Sequence, residues 1–125
     1  VTTPLIKSYR SAAEVAGRRI VAFSGTGSDV AAATSGTAQT FGVSTQLGAG
    51  AGEMLDVVLS GLGEVQLGGA VDAGDPLTAD ADGKGVVAGP VAGSIIRYAA
   101  FALSDGVEND IIPVLVVPGI INTPA

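Results

Sequence analysis

Between residues 54 and 60 apolar and polar positions alternate. Leu55, Val57 and Leu59 fall on one face of an extended chain, and Met54, Asp56, Val58 and Ser60 on the other. A period of two over seven residues predicts a β-strand. Gly61-Leu62-Gly63 then reads as a turn, and residues 64–67 as a returning strand with Val65 and Leu67 facing inward. Further apolar runs at 19–23, 30–33, 41–44, 84–88, 95–103 and 111–117 predict short strands. Pro113 argues that the last of these lies at a sheet edge or near a bulge, because proline cannot donate to a ladder.

Turn residues punctuate these runs at close spacing. Gly68-Gly69, Gly74-Asp75-Pro76 and Asp82-Gly83 mark tight connections in the stretch 64–89, and residues 24–29 mark another. Nineteen glycines, each costing about 1 kcal/mol against alanine inside a helix, argue for turns and strands. Ser11-Ala12-Ala13-Glu14 offers at most one helical turn with a weak capping pattern. The expectation is an all-β protein, a compact single-domain β-barrel or sandwich of short strands with an extended N-terminal arm. Residues 1–17 form the arm and residues 18–125 the β-rich body. Arg19 opens the first convincing strand, Pro4 disfavours helix before it, and residues 1–16 are expected to order only against a partner.

Composition narrows the chemistry. Hydrophobic residues make up 47% of the chain but aromatics only 4%, and Ala, Val and Gly dominate, so thin, tightly packed β-layers are expected rather than a core of bulky rings. Histidine is absent, which removes the commonest general base near neutral pH and every Ser-His-Asp arrangement. Cysteine is absent too, so there is no thiolate nucleophile or thiolate metal ligand, and the redox compartment is left open. The net charge of −6 disfavours non-specific contact with nucleic acid or anionic membranes. No run is long and apolar enough for a membrane span or a signal peptide, because Pro113 and Pro118 interrupt the most apolar one. A soluble protein, unprocessed by secretion machinery, is expected.

The charge is unevenly placed. Lys7, Arg10, Arg18 and Arg19 against Glu14 give residues 1–19 a charge of +3, and the remainder carries −9. One reading is an ordinary solvated surface. The sharper one is a basic arm, with Tyr9 among its cations, that docks on an acidic neighbour, so Lys7, Tyr9, Arg10, Arg18 and Arg19 are the candidate partner-binding residues.

Candidate catalytic and ligand motifs fail on inspection. Gly25-Thr26-Gly27-Ser28 lacks the third glycine of a dinucleotide loop, since Val30 stands there, and no helix is expected to follow. Gly83-Lys84 is followed by Gly85 where a phosphate-binding loop needs Ser or Thr. Asp80-x-Asp82-Gly83 matches part of an EF-hand, but the register puts Thr78 at the first ligand position and Gly89 where the bidentate Glu belongs. Asp72, Asp75, Asp80 and Asp82 are therefore expected to bond their own turns. Paired carboxylates could in principle hydrolyse glycosides, yet these acids sit at turns and aromatic platforms for sugars are few. No enzyme, cofactor or metal is expected.

Several phrases, in order, resemble the small capsid cement (head decoration) proteins of tailed bacteriophages. They are Gly17-Arg18-Arg19-Ile20-Val21-Ala22-Phe23, Phe41-Gly42-Val43-Ser44, Gly52-Glu53 through Val57, and Gly61-x-x-Glu64-Val65. The most specific is Gly69-x-Val71-x-x-Gly74-Asp75-Pro76-Leu77-Thr78 with Asp82-Gly83-Lys84, and Val114-Leu115-Val116-Val117-Pro118-Gly119 closes the series. The resemblance covers the chain from about Gly17 onward. It implies a structural virion protein on the outer surface of the mature head, made in the host cytoplasm, that stabilises the lattice of the major capsid protein. It also implies a homotrimer at three-fold or quasi-three-fold positions, with no catalytic residue to carry over. The alternative is a non-catalytic β-rich adhesin or binding module on a phage tail or cell surface, which would need an exposed ligand cleft.

Overall fold

The computed structural model describes residues 5–24, 27–36, 38, 40–89 and 95–122. Pro4 and the Gly25-Thr26 part of the expected turn lie outside the described residues. Nine strands follow one another: β1 (Leu5–Arg10), β2 (Ile20–Phe23), β3 (Val30–Ala32), β4 (Thr40–Ser44), β5 (Met54–Gln66), β6 (Pro76–Ala79), β7 (Gly85–Val87), β8 (Ile95–Ala102) and β9 (Ile111–Asn122). No helix occurs among the described residues. The strands form one antiparallel sheet in the order β3-β2-β4-β5-β9-β8-β6-β7, with β1 added to β5, and the sheet is not closed into a barrel.

The architecture turns on β5. Its first half pairs with β1 and β4, its second half with β9. Gly61-Leu62-Gly63 is therefore not the expected turn: the strand runs straight through it. What the glycine supplies is a backbone at φ +96°, which L-residues rarely adopt, and the alternation inverts there. Before it, Val58 faces the larger core while Leu55 and Val57 face a smaller one; after it, Val65 faces the larger core. Side chains spaced by an odd number thus share a face, the signature of a strand that bends.

The bend folds the two halves of the sheet over each other, with β4 packed on β8 and β9. Between them lies the larger core, including Ile20, Val43, Val58, Val65, Leu67, Leu77, Ile112, Val114 and Val116. Gly63 lies in this layer, where a Cβ would come within 3.0 Å of Val43 and 3.3 Å of Val116. On the opposite side of β2, β4 and β5 sits the second cluster, Val15, Val21, Val30, Leu55 and Val57, with Tyr9, Phe41 and Leu59 packed against it. Two single parallel bridges curl the sheet at its ends, Ser11 to Val30 and Leu67 to Gly85.

The expected N-terminal arm differs most from expectation. Residues 5–10 are a strand of the sheet, paired with β5 from Leu5–Ser60 to Arg10–Met54. Beyond it the chain is pinned by backbone: Ser11 N donates to Glu53 O, Ala12 N to Val30 O, and Val15 and Ala49 exchange both bonds. Ser11 and Val15 are buried. The physical reason is that Val15, fully buried, and Tyr9, partly buried, complete the second core, the Val15 burial alone being worth about 1.5–3 kcal/mol. Residues 11–14 form no helical turn; the Ser11 and Ala12 N–H groups are taken by Glu53 O and Val30 O of other segments.

Pro113 is not at an edge either, because β9 lies between β5 and β8. Its carbonyl accepts from Leu103 N just past the end of β8, so the bond that proline cannot return falls where that ladder stops. The bulge is at Pro118 instead: Val117 and Pro118 together face Ala99, between the pairs Tyr98–Gly119 and Ala100–Val116.

Candidate functional site

Of the four acids expected to bond their own turns, Asp75 and Asp80 do so through their carboxylates, while Asp72 and Asp82 take part through their backbone N–H groups. Asp80 Oδ1 accepts from Asp82 N at 2.8 Å and Lys84 N at 3.0 Å, and Asp75 Oδ2 accepts from Asp72 N at 2.9 Å. Asp105 Oδ1 takes Ala73 N at 2.8 Å, and Asp110 Oδ2 takes Val107 N at 3.0 Å. Carboxylates that bond nearby backbone donors in this way fix loops. Among the described residues no group of three or more acids could hold a metal ion.

The five residues singled out from the sequence separate into two places. Lys7, Tyr9 and Arg10 lie on β1. Lys7 Nζ sits 5.4 Å from the Tyr9 ring centre, and Tyr9 stands edge-on to Phe23 and Phe41, which stack at 4.1 Å. Lys7 and Arg10 are exposed. Arg18 and Arg19 instead grip the second half of β5. Arg18 Nε meets Glu64 Oε1 at 3.2 Å and its Nη2 donates to Gln46 Oε1 at 3.3 Å, while Arg19 Nη1 donates to Gln66 Oε1 at 2.6 Å. Arg18 holds φ 60°, unusual for a bulky side chain, with its N–H on Thr45 O and its carbonyl taking Gln66 N. Being exposed, the Arg18–Glu64 pair is worth roughly 0–1 kcal/mol.

These two arginines border a surface that charge reasoning alone did not find. Leu62 on β5 pairs with Leu115 on β9, Leu115 with Phe101 on β8, and Phe101 with Pro76 on β6. One apolar row thus crosses four adjacent strands on the side away from the larger core. Ile111, Leu103 and Val117 flank the row; with Leu62 and Leu115 they keep between 38% and 51% of their area exposed. Tyr98 extends it, its ring 5.1 Å from Phe101 and lying over Gly119, where no Cβ could fit. At the β5 border, Arg18, Gln46, Leu62 and Glu64 line part of a hollow of about 260 Å³. An apolar centre with a polar border is a common layout of protein-binding surfaces. The signal in sequence was the outward row Ile111, Pro113, Leu115 and Val117, apolar at every position where a solvated strand would alternate.

No protein-family model matches this chain, and no curated protein matches it. Solved structures share its fold, among them a component of a bacteriophage head fibre. That structure is the N base of head fiber gp8.5 in bacteriophage phi29. It superposes with a TM-score of 0.64, covering 92% of this chain and 95% of that one at 17% sequence identity. At that identity the likeness is one of fold.

Proposed function

We propose that this chain is a structural, non-catalytic protein of a phage virion: a capsid decoration (cement) protein that binds the outer surface of the mature head and braces the major capsid protein lattice. The observation that carries the reading is the near end-to-end fold likeness to a phage head-fibre base. The order of cement-like motifs from Gly17 to Gly119 supports it independently, and the Asp75 and Asp80 carboxylates being engaged in turns fits it. A ligand that binds the expanded lattice and not its precursor stabilises the mature state by linkage. In this reading the protein acts as a homotrimer at three-fold or quasi-three-fold positions, so that weak contacts multiply by avidity. Lys7 and Arg10, exposed on β1, are the cations available to an acidic capsid surface, with Tyr9 behind them.

Adding the purified chain to heads that lack it tests the reading. Expected are extra density on the outer surface at three-fold positions in cryo-electron microscopy and heads that release DNA at higher temperature. Heads that bind no chain, or bind it with no gain in thermal resistance, overturn it.

A further inference from the structure

We infer that the apolar row across β5, β9, β8 and β6 is where copies of this chain meet one another; the inference takes up the self-association in the proposed role and gives it a surface. Three observations carry it. The first is extent. Leu62, Leu103, Ile111, Leu115 and Val117, with their aromatic and proline neighbours, leave on the order of 500 Å² of apolar surface open, at the upper end for an ordinary monomer. That area suits the apolar centre of a standard interface of about 800 Å² per partner.

The second is charge. Outside the first nineteen residues the chain carries −9, so most of its surface repels a copy of itself. The four residues of the row, from Leu62 to Pro76, include no acid; Glu64 at its β5 border is paired with Arg18, and Asp75, Asp105 and Asp110, near Pro76, Leu103 and Ile111, each spend a carboxylate oxygen on a backbone N–H, of Asp72, Ala73 and Val107 respectively. The centre of this face therefore brings no like charges together when two acidic copies meet, and its acids lie at the rim, where water screens them.

The third is the contrast with the other half of the sheet. There the side of β2, β4 and β5 facing away from the larger core is covered by the chain's own Tyr9 and Val15. Over Leu62 and Leu115 no described segment lies, although these strands are as apolar. Copies set around a three-fold axis can each turn this face inward, so that every copy covers part of its neighbours' apolar row.

Sedimentation velocity across micromolar concentrations tests the inference on the whole chain. Wild type is expected to self-associate. Leu62→Asp and Val117→Asp are each expected to raise the dissociation constant at least about tenfold. Both side chains are half open in the single chain, so thermal melts of the two variants stay near wild type and separate lost contact from lost fold. Leu47→Asp, at a leucine 84% exposed in the β4–β5 connection, is the control and leaves association unchanged. A chain that stays monomeric, or three variants that behave alike, overturns the inference. If the chain is monomeric yet Leu62→Asp abolishes binding to heads, the face belongs to the capsid, and the inference falls while the proposed function stands. If association follows the variants but heads bind nothing, the inference stands and the proposed function falls.

Discussion

The two halves of the sheet are built from similar strands but treat their outer faces differently. In the half made by β1 to β4 and the start of β5, both faces of the central strands are buried: Val58 and Val43 in one core, Val57, Val21 and Leu55 in the other. In the half made by the end of β5 and by β6 to β9, only one face is buried, and the other shows Leu62, Leu115 and Val117 to water. The first half gets its cover from residues 5–15, which return over it before β2 begins. The second has no such segment among the described residues. Apolar content alone therefore does not tell which face is core; what decides it is whether some stretch of chain comes back to cover it.

The largest test removes the cover. Deleting residues 1–17 uncovers Val21, Val30, Leu55 and Val57, each worth about 1.5–3 kcal/mol when buried. That sum is comparable to the whole stability of a small domain. The truncated chain is expected to lose its cooperative far-UV circular dichroism melt; a melt within a few degrees of wild type would show the two halves to be less different than they look.

A matched pair of leucines sharpens the comparison. Leu55→Ala should cost about 3 kcal/mol in urea unfolding, as for a fully buried leucine. Leu62→Ala, on the same strand but beyond Gly61, should cost under about 0.5 kcal/mol when the chain is dilute enough to be monomeric. Equal costs would mean that the outer face of the second half is already covered in the single chain.

The smallest effect concerns the turns. Asp80→Ala removes two bonds to backbone donors and should cost about 1 kcal/mol, while EDTA or added calcium leaves the melting temperature of wild type unchanged. A calcium-dependent rise in melting temperature lost in this variant would make the β6–β7 hairpin a cation site.

Much of the strand pattern was legible. The alternation over 54–60 and the inward Val65 and Leu67 follow from the period of two, and the glycine-rich connections follow from turn chemistry. Gly61 was misread because a positive-φ glycine makes either a turn or a bend within a strand, and only the partner, here β9 opposite Gly61 to Gln66, decides. β1 was missed because its side chains are mostly exposed, so the strand is defined by backbone pairing with β5 that leaves little trace in polarity. Of the basic residues, Arg18 and Arg19 proved to be held by Glu64 and Gln66, partners about 46 positions away that no local window contains.

The sharing of β5 by both halves has a consequence for how the chain acquires its structure. Arg10 pairs with Met54, and Gly61 with Val116, so each end of this strand waits for a segment far off in the chain. Such non-local closure places folding in the slower range, milliseconds to seconds. On the ribosome the second half of β5 stays without its β9 neighbour until residues 111–116 have emerged. Val65, fully buried in the folded chain, is in solvent until then, which makes the nascent chain a client for holding factors at its middle rather than at its start.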